Sequence, residues 1–397
     1  MPRPQVTASS GRDTALEALR GLASVSVVCW HNILGFFPQR SGIYPAADPT
    51  TPFTTKVWFG LVYGTAAVAF FFVLSGFVLT RRYLLTGDAS QIHRNLVKRW
   101  PRLAMPVLVT VMLSWAAFHF NLYRHQPAAV VTQSWWLWYF ANASVQPIVP
   151  SFWGAFQQGS YYTFFHGDNT YDSSLWTMRF EFIGSFVAMG LALVLGPVKR
   201  GLLRVYLVVV TVLVCHHIDP QYVAFPVGVG LAAFLPETRW LASRILTTLM
   251  VVLAVYLLGW AGVSAFAFRP LGWLVPAGCA PTYVNLVGSV LLIVAAETSP
   301  SLHSFLSARW ATFLGRISFP LYLVHVPILC SVGSATLLAA GSLGHPRAEQ
   351  CAVAATFATS FFVAYLLTLL NERWVVVLNQ AIGKLMPRNV ESTGSTS

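Results

Sequence analysis

The sequence predicts an all-α, polytopic membrane protein of about ten transmembrane helices with both termini cytoplasmic. Three observations predict it. Of the 397 residues, 56% are hydrophobic and only 10% charged, with a mean hydropathy of +0.62, whereas soluble domains carry about a quarter charged residues. Apolar runs recur at a length close to the ~20 residues that one bilayer crossing requires. Lysine and arginine concentrate on alternate sides of those runs.

The apolar runs lie at about 20–37, 58–79, 103–121, 175–196, 202–218, 222–235, 243–262, 282–297, 316–340 and 350–372. With the N-terminus inside, the inner segments hold nineteen Lys and Arg and the outer segments five, namely Arg40, Lys56, Arg124, Arg269 and Arg347. That asymmetry sets the orientation and accounts for the net charge of +12 without a nucleic-acid partner. No cleavage site follows the first run, so it is expected to be a retained helix. The organisation read from this is one transmembrane domain over 15–373 and a cytoplasmic tail over 374–397, disordered across its polar end, 389–397.

Five cysteines, Cys29, Cys215, Cys279, Cys330 and Cys351, stand singly. An odd count without Cys-x-x-Cys spacing gives neither a disulfide framework nor a metal site. The longest outer segment, from about Asn121 to Ser174, is crowded with aromatics, among them Trp135, Trp136, Trp138 and Tyr139. Interfacial anchoring explains most of them; the sharper alternative is an outer vestibule whose rings stack on sugar faces. The sequon Asn142-Ala143-Ser144 falls on this side.

Ionisable residues inside spans are costly to bury and mark function by default. Arg20 and His31 are eleven residues apart on the first run, and eleven helical steps return to within ~20° of one face. The arginine then sits at the cytoplasmic edge, with the imidazole ~16 Å deeper. A snorkelling anchor is the alternative for Arg20, and a hydrogen-bonded packer for His31. Lys98, Arg99 and Arg102 end a basic inner loop. Guanidinium binds phosphate bidentately, so they suit a polyanion, although basic inner loops are also normal topology. Glu181 enters the fourth span from outside, ~9 Å below the outer edge, with neutralisation by Arg179 as the structural alternative. Tyr322 and His325 share a face three residues apart, and His325 reaches ~12 Å from the inner edge. His31, Glu181 and His325 are thus expected near one depth, as a polar chamber.

With these residues in view the chain resembles the acyltransferase-3 family of integral membrane acyltransferases. The resemblance rests on Leu16-Glu17-Ala18-Leu19-Arg20-Gly21 with His31 eleven residues after Arg20, on Phe70-Phe71-Phe72-Val73-Leu74-Ser75-Gly76-Phe77, and on Lys98-Arg99-x-x-Arg102. It continues through Ser174-Leu175-Trp176 with Glu181, and Ser318-x-x-Leu321-Tyr322-Leu323-Val324-His325. Glu17 stands where the family usually has Asp, and Arg179-Phe180 replaces its usual Val-Glu, so only Glu181 carries over there.

The resemblance implies transfer of an acyl group, commonly acetyl, from cytoplasmic acyl-coenzyme A to a hydroxyl of an extracytoplasmic glycan, lipid-linked sugar or small metabolite at the cell membrane. No metal and no permanently bound cofactor is expected. Arg20, Lys98, Arg99 and Arg102, with Ser75, are expected to bind the donor. His31 is expected to be general base or transient acyl carrier, since imidazole titrates near ~6.5. Glu181 and Tyr322 would position it or the acceptor, with His325 secondary. The rival is a secondary transporter that uses the same residues as a proton relay. It would show matching broken helices in two halves, but the Ser-Gly-Phe and Trp-x4-Glu motifs occur once each.

Overall fold

The computed structural model describes residues 14–44, 51–235, 243–262, 265–276 and 280–385. Cys279, the polar tail 389–397 and four of the inner cations (Arg3, Arg12, Arg239 and Arg388) lie outside them. Every described element of regular structure is helical. We number the ten longer ones α1 (Thr14–Phe36), α2 (Gly64–Thr86), α3 (Ser90–His119), α4 (Trp176–Leu195), α5 (Gly201–Ile218), α6 (Ala224–Phe234), α7 (Arg244–Leu258), α8 (Pro281–Thr298), α9 (Arg309–Ser342, with a π-turn at Leu329–Gly333) and α10 (Ala348–Leu385). Seven of these, α2–α5 and α8–α10, are long and apolar enough to cross a membrane. α6 and α7 are apolar but shorter, and α1 carries Glu17 and Arg20 in its first two turns.

One boundary differs in a way that matters. The stretch read as a basic inner loop ending at Arg102 is the end of α2 and the first turns of α3. The reversal takes only three residues. Gly87, at φ +76°, closes α2 by donating its N–H to the Tyr83 carbonyl at 2.7 Å, a left-handed position that glycine tolerates at no steric cost. Asp88 Oδ1 then accepts from the Ser90 N–H at 3.0 Å and starts α3. Pro101 and Pro106 stay inside α3, as prolines do in membrane helices where neighbours re-satisfy the backbone. Trp374 Nε1 of α10 also donates to the Pro101 carbonyl at 2.8 Å and ties α10 to α3 beside the first proline. Arg99 therefore lies well inside a helix and is buried.

The interior is built on close helix crossings. Lipid tails are as apolar as leucine, so membrane helices associate through packing, and small residues let backbones approach. α1 lies along α9: a Cβ on Gly21 would sit 2.4 Å from the Leu314 carbonyl carbon, and one on Gly315 would sit 2.5 Å from the Glu17 carbonyl oxygen. α2 crosses α6 in the same way, with Gly76 against the Phe225 carbonyl and Gly228 against that of Val73. The first crossing sets the seam that carries the histidines, and the second holds Ser75. α5 is almost entirely outside this core. Its face of Leu202, Val209, Leu213 and Val214 is exposed, as a lipid-facing helix requires.

Candidate active site

α1 and α9 bring His31 and His325 together. His31 Nδ1 lies 2.6 Å from His325 Nε2, with the two rings nearly parallel at 4° and their centroids 4.9 Å apart. The other nitrogen of His325, Nδ1, faces two carbonyls of its own helix, Tyr322 at 2.7 Å and Leu321 at 3.2 Å. Carbonyls only accept, so His325 Nδ1 carries the proton and its Nε2 carries the lone pair. His31 must then donate from Nδ1. In the neutral pair the lone pair of His31 sits on Nε2. The tautomers are assigned by these partners.

Two further contacts hold His31. Trp136 stacks on its ring at 5.2 Å and 28°. That tryptophan belongs to a one-turn helix, Trp135–Trp138, tied to the C-terminal end of α1. Ser134 Oγ donates to the Leu34 carbonyl at 2.7 Å, and the Trp136 N–H donates to the Tyr44 hydroxyl at 2.7 Å. Eleven residues before His31, Arg20 lies on the same seam. Its Nε donates to Ser318 Oγ at 2.9 Å and its Nη2 to the Gly315 carbonyl at 3.3 Å.

A second constellation joins α2, α3 and α4. Glu181 Oε1 accepts from Ser75 Oγ at 2.7 Å and forms an ion pair with Arg99 Nη2, while Arg99 Nε donates to Ser185 Oγ at 2.9 Å. Arg179 is exposed, so Glu181 takes its counter-charge from α3 rather than from its own helix. No described hydrogen bond joins Glu181 to His31. Of the three residues expected to line one chamber, His31 and His325 bond directly on the α1–α9 seam, near Arg20, while Glu181 bonds Ser75 and Arg99. Lys98 and Arg102 are half-buried on α3, flanking Arg99 in sequence.

Tyr322 commits its hydroxyl to the start of α4. It donates to the Ser174 carbonyl at 3.0 Å and lies 2.9 Å from Thr177 Oγ1. Ser174 is fixed in turn by Asp172, whose Oδ1 accepts from the Ser174 N–H at 3.0 Å and from its Oγ at 2.8 Å. Asp172, just outside the span that begins at Ser173, is fully buried. Burial pushes its carboxyl up to about 7.

Sequence reasoning misses two of these residues. Trp136 is one ring among many on the aromatic segment 121–174, and nothing in its spacing marks it as the one that turns inward. Asp172 stands two residues ahead of a serine at a helix start. This Asp-x-Ser pattern of an N-cap is the signal that could have found it.

A family model described as an acyltransferase domain matches residues 13–379. Among curated proteins, the O-acetyltransferase PaAT-1 of Phomopsis amygdali is 24% identical over 373 residues, covering 81% of this chain and 73% of its own. No solved structure matches.

Proposed function

The chain belongs to the acyltransferase domain family, and from that premise we propose that it moves an acyl group, acetyl in the first instance, from acyl-coenzyme A to a hydroxyl, with His31 as general base. The observation that carries the reading is the lone pair on His31 Nε2, held there by His325. The acceptor hydroxyl gives its proton to Nε2 as its oxygen attacks the thioester carbonyl. The carbon–sulfur bond then breaks, and the coenzyme thiolate leaves with that same proton. One imidazole serves both transfers and returns to its starting tautomer. While it is cationic, His325 Nε2 accepts from its Nδ1–H, and the Trp136 face offers a cation–π contact worth ~0.5–2 kcal/mol.

The donor enters from the cytoplasmic side in this reading. Lys98 and Arg102 on α3 and Arg20 at the edge of α1 hold coenzyme phosphates. Arg99, with Glu181 and Ser75, braces the helices around the pantetheine path. All ten helices cross or enter the bilayer with both termini cytoplasmic, a placement supported by the nineteen-to-five distribution of Lys and Arg. The acceptor is a hydroxylated saccharide, lipid-linked sugar or small metabolite on the outer side of the cell membrane. A hydroxyl acceptor is supported by the name of the curated relative, an O-acetyltransferase, and a sugar ring by the exposed Trp135 and Trp138 beside the inward-facing Trp136. The transporter alternative gains no support: a relay through His325 would end on the carbonyls of Tyr322 and Leu321, which cannot pass a proton on.

The test uses purified protein in nanodiscs with labelled acetyl-coenzyme A. Wild type is expected to release coenzyme A, slowly to water and faster with a polyol acceptor. His31→Gln is expected to bind the coenzyme but release none, since an amide hydrogen-bonds without accepting a proton near neutral pH. Release at the wild-type rate by the glutamine variant overturns the reading. Acid quenching followed by mass spectrometry of the His31 peptide separates base from acyl carrier, because only the carrier gains an acetyl.

A further inference from the structure

We propose that Asp172 is a positioning residue for the histidine pair, acting through Ser174 and Tyr322. This rests on the reading of His31 as the base and adds a residue from the far end of the hydrogen-bond chain. Each link is a described bond. Asp172 Oδ1 holds the N–H and hydroxyl of Ser174. The Ser174 carbonyl accepts from the Tyr322 hydroxyl. The Thr177 hydroxyl donates to the same carbonyl at 3.1 Å. The carbonyl of Tyr322 accepts from His325 Nδ1, and His325 Nε2 accepts from His31 Nδ1. The Tyr322 hydroxyl thereby ties α9, the helix inside which the tautomer of His325 is set, to the start of α4.

The consequence of loosening this chain follows from the tautomers. His325 and the carbonyls of Tyr322 and Leu321 belong to one helix, so if α9 turns, the tautomer of His325 turns with it. What is lost is the register with α1, and His325 Nε2 moves away from His31 Nδ1–H. Without that acceptor the His31 proton is free to sit on Nε2, which removes the lone pair from the nitrogen that does the chemistry. Such a misplacement, remote from the reacting atoms, costs about a hundredfold in rate.

Only Oδ1 of Asp172 is used in the chain. Oδ2 is buried without a partner among the described residues, and burial raises the carboxyl. The role is therefore that of an acceptor and not of a charge, and asparagine should preserve it. Tyr123, Tyr322 and Cys330 all lie within electrostatic reach of this carboxyl.

The experiment has a kinetic arm and a chemical arm. Asp172→Ala should lower kcat about a hundredfold with the donor KM within about twofold, while Asp172→Asn stays within about threefold of wild type. Tyr322→Phe should lower kcat about tenfold, and the double variant Asp172→Ala/Tyr322→Phe should be no slower than Asp172→Ala alone, because both cut one chain. The chemical arm follows carbethoxylation of His31 by diethyl pyrocarbonate, read by mass spectrometry without any substrate. It should slow in Asp172→Ala and Tyr322→Phe but not in Asp172→Asn. Equal losses in the alanine and asparagine variants, or additive losses in the double variant, overturn the proposal. So does a wild-type kcat and modification rate in Asp172→Ala. If Asp172→Ala fails to fold, Tyr322→Phe carries the test alone, and a wild-type kcat and modification rate there overturn it. If carbethoxylation follows the expected order but wild type transfers no acyl group, the positioning chain stands and the acyltransfer reading of His31 falls.

Discussion

At His31 the position of one proton decides what the side chain can do, and that position is set two bonds away, at the carbonyl of Tyr322. Two replacements of His325 expose the dependence. His325→Ala leaves His31 Nδ1–H without its acceptor and frees the other tautomer; loss of orientation in a comparable histidine costs up to about ten-thousandfold in kcat. His325→Gln presents an amide oxygen that can still accept from Nδ1–H. Acetyl transfer measured side by side should rank wild type first, the glutamine variant second and alanine last. Asp172 makes a different prediction, in stability against pH. Unfolded, its carboxyl titrates near ~3.9; folded, burial holds it at about 7. Between those values the folded protein binds the extra proton, so stability should fall as pH rises from about 4 to about 7 and level off above about 8. Asp172→Asn has no such proton. Melting of the detergent-solubilised protein from pH 5 to 8 should show a downward slope in wild type relative to the variant, and parallel curves would count against the buried acid.

Helix pairs carry the next level of constraint. At the α1–α9 crossing there is no room for a β-carbon on either glycine. Gly315→Val should push the helices apart, separate His31 from His325 and abolish transfer, while membrane insertion, measured by fractionation and topology labelling, persists. In the α2–α3–α4 group, removal of one member of the Arg99–Glu181 pair leaves the other charge buried and uncompensated, at a cost of ~3–5 kcal/mol. Arg99→Ala should therefore melt well below wild type, and Arg99→Ala/Glu181→Ala should recover part of the loss. These pairings mark what was legible in the sequence. The eleven-residue interval from Arg20 to His31 correctly put both on one face, because helical periodicity is local. The meeting of Arg99 with Glu181 was not legible. A basic run before Pro101 reads as loop, and only the three-residue reversal at Gly87–Ala89 and the unbroken α3 carry Arg99 inward to Glu181. The tertiary partner of a charge depends on where its helix begins, and hydropathy locates helix ends poorly.

Across the described residues, the ten apolar runs correspond to the ten longer helices, of which seven meet the length and hydropathy of a full crossing. Cysteine-accessibility labelling should find Ser90 protected from impermeant reagents in intact cells and Gln157 open to them. Labelling of Ser90 from outside would reverse the proposed orientation and put the donor on the wrong side. The shape of the interior was less legible than the spans, since periodicity does not say which apolar helix faces lipid. α5 is as apolar as the buried helices yet lies outside the core. The α1–α9 seam also bears on how the protein is made. His31 lies on α1 and His325 on α9, 294 residues later. The glycine-lined face of α1 must therefore wait in the bilayer, unfilled, through most of synthesis. A chain truncated before Arg309 would hold the cations of α1 and α3 proposed to bind the donor and yet lack the partner of His31. Under the proposed function, activity would begin only late in translation, when α9 docks, and a nascent chain that bound acyl-coenzyme A would not spend it on water.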